Sequence, residues 1–198
     1  MMIALAERRI APDSLIRFGI RRLLEQRLTG EYQGGSDQVE ARKQRLMAEL
    51  ADGPVAVAQQ EANDQHYEVP SRFYQLSLGP HLKYSSGYWG DGVRTLEEAE
   101  AAMLALTCER AELSDGQRVL ELGCGWGSLS LWMAEHYPHS SIVSVSNSAS
   151  QRAWIEQQAL TRGLKNLTVI TADVATFQAE GKFDRVVSVE MFEHMRNH

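Results

Sequence analysis

The sequence has little cysteine and no long hydrophobic run. Cys108 and Cys124 are the only cysteines among its 198 residues, which excludes a framework of several disulfides and is typical of a protein in a reducing cytoplasm. No apolar stretch approaches the roughly 20 residues that a transmembrane helix needs. Residues 1–6 are too few for the apolar core of a signal peptide, and two arginines follow them rather than precede them. We therefore expect a cytoplasmic protein.

An excess of basic residues is also missing. The chain carries 20 lysines and arginines against 26 acidic residues, a net charge of −6, so binding to nucleic acid through a broadly basic surface is not expected. The charge is uneven, because residues 1–30 hold six arginines and three acidic residues. With 43% hydrophobic and 23% charged residues, the composition is that of a globular protein, and the length allows one domain with an added segment.

Residues 119–127 are the most informative stretch. They read VLELGCGWG: an apolar run too short for a helix leads directly into a cluster of glycines, which predicts a buried parallel strand that ends in a tight turn. Residues 128–134 follow a helical pattern with Leu129, Trp132 and Met133 on one side. Strand, glycine turn and helix are the first half of a nucleotide-binding βαβ unit, although a tight turn in any α/β protein would look the same.

Strands and helices continue to alternate after this unit. Strands are predicted at residues 141–146, 167–171 and 183–189, and a helix at about 150–160. This order predicts an α/β fold with a parallel, Rossmann-like sheet and right-handed crossovers. Because ligands bind at the carboxyl ends of such strands, the polar residues there are candidate site residues. They are Glu121 with Gly123 and Gly125, Ser146 with Asn147 and Ser148, Asp173, and the acidic cluster Glu190, Glu193 and His194.

Helices are predicted before the sheet. Residues 15–28 carry apolar side chains at helical spacing with arginines between them, and Gly30 and Gly34 are expected to break this helix before a second one at 36–50. A surface helix packed on its own domain is the favoured interpretation, and contact with a membrane surface is the alternative. Thr95 and Glu98 have the spacing of a capping box and predict a helix that runs to about Leu113.

Aromatic residues are concentrated between these helices and the sheet. Tyr67, Tyr74, Tyr88 and Trp89 lie among glycine, serine and proline, an unusual composition for a surface loop. Their side chains could wall a pocket or face a cation, and they could equally cap the hydrophobic core. The sequence does not separate the two interpretations.

The glycine spacing indicates the cofactor. A dinucleotide fingerprint requires a glycine at position 128 and an acid about 20 residues further on; the chain has Ser128, and Ser146-Asn147-Ser148 at the second strand's tip. A nicotinamide-dependent oxidoreductase is therefore disfavoured. The pattern E-x-G-x-G-x-G at 121–127 resembles motif I of class I methyltransferases, whose glycine turn lies against the methionine part of S-adenosyl-L-methionine. Many of them place an acid at the second strand's tip for the ribose, and polar amides would serve here.

The acidic cluster suits an amine substrate. A protonated amine cannot attack a methyl group, so an enzyme acting on it needs a base that removes the proton. If the chain is helical after the fourth strand, three- and four-residue spacing places Glu190, Glu193 and His194 on one face, where two carboxylates would attract a cationic amine. The alternative is a helix N-terminus on which the helix dipole favours acids. No metal site is predicted.

Seven ordered motifs together resemble the cyclopropane-fatty-acyl-phospholipid synthase family of methyltransferases, and most closely its coclaurine N-methyltransferase-like branch. The resemblance covers residues 60–198 well and the N-terminal helices loosely. The motifs are HYEVP at 66–70, YSSGYW at 84–89, TLEEAE at 95–100, CERA at 108–111, ELGCGWG at 121–127, SNS at 146–148 and VEMFEHM at 189–195.

The resemblance implies a division of labour within the site. Tyr84 and Ser85 would contact the methionine end of S-adenosyl-L-methionine beside Gly123 and Gly125. Residues 146–151, with Gln151 at their end, would hold the ribose, and Asp173 and Val174 would lie at the adenine. The set Glu190, Glu193 and His194 matches the acids and imidazole that N-methyltransferases of this branch use on the amine.

The resemblance also implies a function with alternatives. N-methylation of a small amine is expected first, methylene transfer to unsaturated lipid acyl chains second, and a non-catalytic cofactor-binding module third. Residues 1–65 would form a helical segment and 66–198 an incomplete methyltransferase domain. The family's sheet has seven strands, so the chain looks like a fragment whose fourth strand has an unpaired edge that could pair in a homodimer. Ser86 replaces the cysteine of the fatty-acyl synthases, which puts their bicarbonate site in doubt.

Overall fold

A computed structural model describes residues 11–56 and 70–197. These fall into two compact units that divide between Gly53 and Pro54, whereas the predicted boundary between residues 65 and 66 lies outside the described residues. The first unit contains helix α1 (Asp13–Tyr32) and helix α2 (Gly35–Ala51). The Arg42 guanidinium of α2 donates a 2.7 Å hydrogen bond to the carbonyl of Glu31 in α1.

The predicted break at Gly30 is wrong. Helix α1 continues through Gly30 to Tyr32, since one glycine costs a helix only about 1 kcal/mol. The predicted break at Gly34 is present, because Gly34 has a φ of +90° and precedes α2. Neither helix contains a buried residue, and apolar side chains such as Phe18 and Leu23 are exposed. None of the helices in the described ranges has the length and hydropathy needed to cross a membrane.

The second unit is an α/β fold, as predicted. Its four strands form one parallel sheet in the order β3-β2-β1-β4. The elements in chain order are α3 (Ser71–Ser77), α4 (Leu96–Arg110), β1 (Arg118–Leu122), α5 (Ser128–His136), β2 (Ser141–Ser146), α6 (Ala149–Arg162), β3 (Leu167–Thr171), β4 (Arg185–Ser188) and a 3₁₀ turn at Phe192–His194.

The core lies between the sheet and its helices. Val119 of β1, Ile142 of β2 and Val187 of β4 pack against Leu104 of α4 and against α5. A second cluster joins α5, α6 and β3, with a fully buried Ile155 at its centre. Central strands of a parallel sheet are covered on both faces, which explains why Val119, Leu120 and Glu121 are buried in succession.

Helix α4 begins as the sequence predicts and ends earlier. The capping box is present, because Thr95 accepts a hydrogen bond from the amide of Glu98 and the Glu98 carboxylate accepts one from the amide of Thr95. The helix ends at Arg110 rather than near Leu113. Glu112 takes a φ of +52°, and the amides of Glu112 and Leu113 bond back to the carbonyls of Glu109 and Cys108, which is a Schellman ending.

Strands β3 and β4 are the edges of the sheet that the described residues form. Alternate side chains of a strand point to opposite faces. Val187 of β4 is 7% exposed and belongs to the core, whereas its neighbour Val186 is 59% exposed. The other face of β4 is therefore open over Val186.

Candidate active site

A cavity of about 390 Å³ lies at the carboxyl ends of the four strands. This volume is in the range of small-molecule sites. Of the residues that the sequence predicted as site residues, all except Ser148 line it. They are Tyr84, Ser85, Glu121, Gly123, Gly125, Ser146, Asn147, Gln151, Asp173, Val174, Glu190, Glu193 and His194.

The glycine turn forms one wall of the cavity. The amides of Gly123 and Cys124 both donate 3.0 Å hydrogen bonds to the carbonyl of Val145, which ties the turn to the end of β2. Gly125 has a φ of +51°, and a Cβ there would meet no protein atom within 4 Å. Gly127 has a φ of +80°, and a Cβ there would lie 2.5 Å from Ile155. Gly125 thus leaves open space beside the cavity, while Gly127 allows α6 to pack.

Glu121 is a buried acid at the floor of the cavity. It is 4% exposed, and its Oε2 accepts hydrogen bonds from the hydroxyls of Ser130 and Ser144, the latter at 2.9 Å. Ser144 lies directly opposite Glu121 in the register of β1 and β2. Burial raises the pKa of the Glu121 carboxyl, and the two serine hydrogen bonds oppose that rise.

A side-chain amide from the start of α6 lies beside the end of β2. The Ser146 hydroxyl donates a 2.6 Å hydrogen bond to Oε1 of Gln151, whose side chain is 2% exposed. Nε2 of Gln151 has no hydrogen-bond partner among the residues that the structure describes. Ser148 does not line the cavity, because its hydroxyl caps α6 by accepting from the amide of Gln151. Gln151 is therefore a fixed side chain with a donor to offer.

Asp173 follows β3 after one intervening residue, Ala172. Its Oδ1 accepts a 2.8 Å hydrogen bond from the amide of Ala175, which forms a local turn. The preceding amide, that of Ala172, donates to the carbonyl of Ser146 at 2.9 Å. This backbone bond holds the tips of β2 and β3 side by side, so that Asp173 and Asn147 line one cavity.

The acidic cluster does not form the α-helical face that the sequence suggested. Glu190 takes a left-handed conformation with a φ of +52°, and only Phe192–His194 is helical, as a single 3₁₀ turn. Non-glycine residues in this conformation are strained and concentrate at functional sites. Glu190, Glu193 and His194 nevertheless line the same cavity. An antiparallel bridge between Ala56 and Met195 holds the following residues.

The aromatic residues divide between core and surface. Tyr74 is 2% exposed and packs on Trp126 with ring centroids 4.9 Å apart, whereas Tyr88 and Trp89 are about half exposed. These three do not line the cavity; Tyr84 does. Capping of the core is therefore the correct interpretation for Tyr74. Tyr67 lies outside the described residues.

Sequence reasoning missed several polar side chains of the site. Lys83, Thr107 and Ser128 line the cavity, and Ser130 and Ser144 hold Glu121. Ser144 had a detectable signal, since a serine in the middle of a strand pattern must be satisfied when buried. No group of three or more histidine, cysteine or acidic side chains suited to a metal ion occurs within residues 11–56 and 70–197.

The fold and the cavity define the class of protein: this is the Rossmann-like sheet of class I methyltransferases, with its strand ends around one polar cleft. The family model for mycolic acid cyclopropane synthetase matches residues 56–198. The chain belongs to this family.

Relatives of two kinds are found. (S)-coclaurine N-methyltransferase of Thalictrum flavum subsp. glaucum is 39% identical over 96% of this chain and 52% of that protein. Cyclopropane-fatty-acyl-phospholipid synthase of Escherichia coli (strain K12) is 38% identical over 66% of this chain and 32% of that protein. A crystal structure of coclaurine N-methyltransferase bound to N-methylheliamine and SAH has a TM-score of 0.88 at 38% identity, and the match covers 99% of this chain and 56% of that one. The chain spans about half the length of the N-methyltransferases it matches.

Proposed function

We propose that the chain is the cofactor-binding part of an S-adenosyl-L-methionine-dependent methyltransferase that methylates a small amine. One observation carries the proposal. A single cavity joins the glycine turn, Glu121 and Asp173 to Glu190, Glu193 and His194. This arrangement supports a nucleoside-cofactor site and a cationic-amine site that share one space.

The residues on the cofactor side fit S-adenosyl-L-methionine, which when bound supplies an electrophilic methyl group. Gly125 leaves the open space that a close backbone approach requires, and Nε2 of Gln151 is a buried donor without a partner in the described part of the chain. Glu121 offers a carboxylate for the amino group of the cofactor. We assign Tyr84, Ser85 and Gly123 to the methionine end, Ser146, Asn147 and Gln151 to the ribose, and Asp173 and Val174 to the adenine.

The residues on the substrate side fit an amine. Glu190 and Glu193 would attract its positive charge, and His194 or one of the carboxylates would take its proton and so free the nitrogen lone pair. The strained backbone at Glu190 supports a functional role, because it holds that carboxylate on the cavity at an energetic cost. The relatives that are N-methyltransferases support the same choice of substrate.

Two measurements on the purified chain test this function. Calorimetry with S-adenosylhomocysteine measures cofactor binding, and transfer of a labelled methyl group to a panel of small primary and secondary amines measures turnover. Glu193→Gln should lower kcat/KM by about 100-fold, a common loss for an acid–base group, while S-adenosylhomocysteine affinity stays unchanged. The matched control is Glu109→Gln, on an exposed residue of α4.

The same experiment can contradict the proposal in two ways. Methyl or methylene transfer to vesicles of anionic, unsaturated phospholipid, with none to amines, would favour the lipid synthase alternative. Binding of S-adenosylhomocysteine without turnover on any acceptor would favour a cofactor-binding module.

The lipid alternative rests on a specific observation. Helix α1 exposes Phe18, Leu23 and Leu24 beside its arginines, a composition that suits contact with an anionic membrane surface. Ser86 weakens this alternative, because it is exposed and does not line the cavity. We propose peripheral membrane contact only for this helix. We further propose that the cofactor site lies within residues 66–198 and that the protein is cytoplasmic.

A further inference from the structure

Lys83 is a buried cation beside the cavity. Its side chain is 6% exposed and lines the cavity. Among the described residues that line the cavity, Lys83 is the single lysine or arginine. The acidic side chains that line the same cavity are those of Glu121, Asp173, Glu190 and Glu193. Buried lysines are rare, because removing an ammonium from water is costly. A cation kept here in spite of that cost needs a reason.

Lys83 acts on a neighbour that faces the cavity. Its Nζ donates a hydrogen bond to Oγ of Ser85. Within the described ranges no carboxylate forms a direct ion pair with it. Burial lowers the pKa of Lys83, and the charges of Glu190 and Glu100 oppose that shift through space. An ammonium has no lone pair, so Ser85 must accept this bond and its own O–H proton is free for a different acceptor.

The loop that carries Lys83 is held in place. The carboxylate of Glu100, a buried residue of α4, accepts a 2.9 Å hydrogen bond from the amide of His81. The amide of Leu82 donates to the carbonyl of Gly79 at 2.9 Å, and Leu82 itself takes a φ of +49°. Lys83 and Ser85 are therefore presented by a constrained backbone, which makes their orientation suitable for recognition.

We propose that Lys83 is a positioning residue for the carboxylate of the ligand's amino-acid end, acting through Ser85. Its ammonium polarises the Ser85 hydroxyl, and a hydroxyl that accepts a charge-assisted hydrogen bond becomes a stronger donor. The negative charges of the four carboxylates are complementary to the positive charges of the cofactor's sulfonium and amino groups and of the amine substrate. They would repel the one anionic group of the cofactor, and Lys83 supplies the opposite charge. This inference rests on the proposed function.

Calorimetry with two probe ligands tests the role. S-adenosylhomocysteine has the amino-acid end, and 5′-methylthioadenosine is the same nucleoside thioether without it. Lys83→Met should weaken binding of the first by about tenfold or more, the usual effect of a hydrogen bond that involves a charge, and leave the second unchanged. Lys83→Arg should recover part of the loss. Lys165→Met, on an exposed lysine, is the matched control.

A double-mutant cycle tests the route through Ser85. If Lys83 acts through that hydroxyl, Ser85→Ala should weaken S-adenosylhomocysteine binding by a similar factor, and the double variant should bind no worse than either single one. Additive losses, or an equal loss for both ligands in Lys83→Met, would overturn the proposal while the cofactor assignment stands. A wild-type chain that binds neither ligand would overturn the cofactor assignment and the role of Lys83 with it.

Discussion

Single residues in this site are placed against their ordinary preferences. Glu121 is a carboxyl inside a parallel sheet, where Ser130 and Ser144 donate to the same oxygen. Burial still outweighs these bonds and raises its pKa. The folded state therefore binds a proton more readily than the unfolded state, so the free energy of unfolding falls as the pH rises from the unfolded value of 4.5 through the higher folded value.

Glu121→Gln should remove this dependence. At pH 7 the variant should be more stable than the wild type, because it lacks the carboxyl whose ionisation is opposed by burial. Below pH 4.5 the two should converge, because the wild-type carboxyl is protonated in both states. Urea unfolding at pH 4 and pH 7 measures the difference, with Glu109→Gln as the control. A Glu121→Gln variant that is destabilised equally at both pH values would show that the carboxyl is not held at a raised pKa.

The same variant should bind the cofactor more weakly. A neutral amide cannot balance the amino group of the cofactor, so binding of S-adenosylhomocysteine should weaken by about tenfold or more, the effect of losing a charge-assisted hydrogen bond.

At the scale of the secondary-structure elements, the site residues lie at the ends of strands and in the segments that follow them. Strand β1 delivers Glu121, and the glycine turn after it is bound by two amides to the end of β2. The segment after β4 shows the same rule, because Glu190 turns left-handed where a helix was expected. Backbone that leaves regular structure exposes its polar groups and side chains to the cavity.

Gly125→Ala distinguishes the role of the glycine turn in ligand binding from its effect on the stability of the fold. Gly125 and Gly163, which ends α6, both have positive φ, and a Cβ at either would meet nothing within 4 Å. Alanine at each position should therefore cost a similar 1–2 kcal/mol, roughly the strain of a left-handed residue. Urea unfolding measures this cost.

Only the variant at Gly125 should bind S-adenosylhomocysteine more weakly, by about tenfold or more, because its methyl group enters space that the ligand needs. Equal affinity of Gly125→Ala and Gly163→Ala would mean that the ligand does not approach this backbone.

At the scale of the molecule, β4 lies at one edge of the sheet that the described residues form. In the sheet of the described residues β4 pairs with β1 alone, and Val186 is 59% exposed on it. Exposed apolar edge strands tend to pair with another chain. We therefore propose that this chain associates with a second copy of itself through β4.

Val186→Lys should reduce this self-association, because a lysine at an edge strand opposes pairing. Size-exclusion chromatography with light scattering over a range of protein concentrations measures the mass. The control is Leu160→Lys, which removes an apolar side chain that is 75% exposed on α6. A wild-type chain that stays monomeric at all concentrations, or equal effects of the two variants, would contradict pairing through β4.

Local patterns in the sequence were enough to predict the helices and strands of the second unit and the residues at the rim of the site. The apolar run 119–122, the strands 141–146 and 167–171, and the capping box at Thr95 follow from backbone preferences and from hydrophobic periodicity, which act over a few residues. The position of polar residues at or after the end of each strand was enough to predict that Glu121, Asp173 and Glu193 line one cavity, because the ends of parallel strands share one edge.

Only the tertiary structure decided burial and orientation. Ser144 of the neighbouring strand holds Glu121, and Tyr74 is buried against Trp126, so both depend on partners far along the chain. The burial of Lys83 and the left-handed backbone at Glu190 are likewise features of the folded chain. A residue's hydration and its hydrogen-bond partners are set by what packs against it, and that is a property of the folded chain rather than of neighbouring residues. The sequence by itself thus determined which chemical groups reach the cavity, and the packing determined their charge, direction and strain.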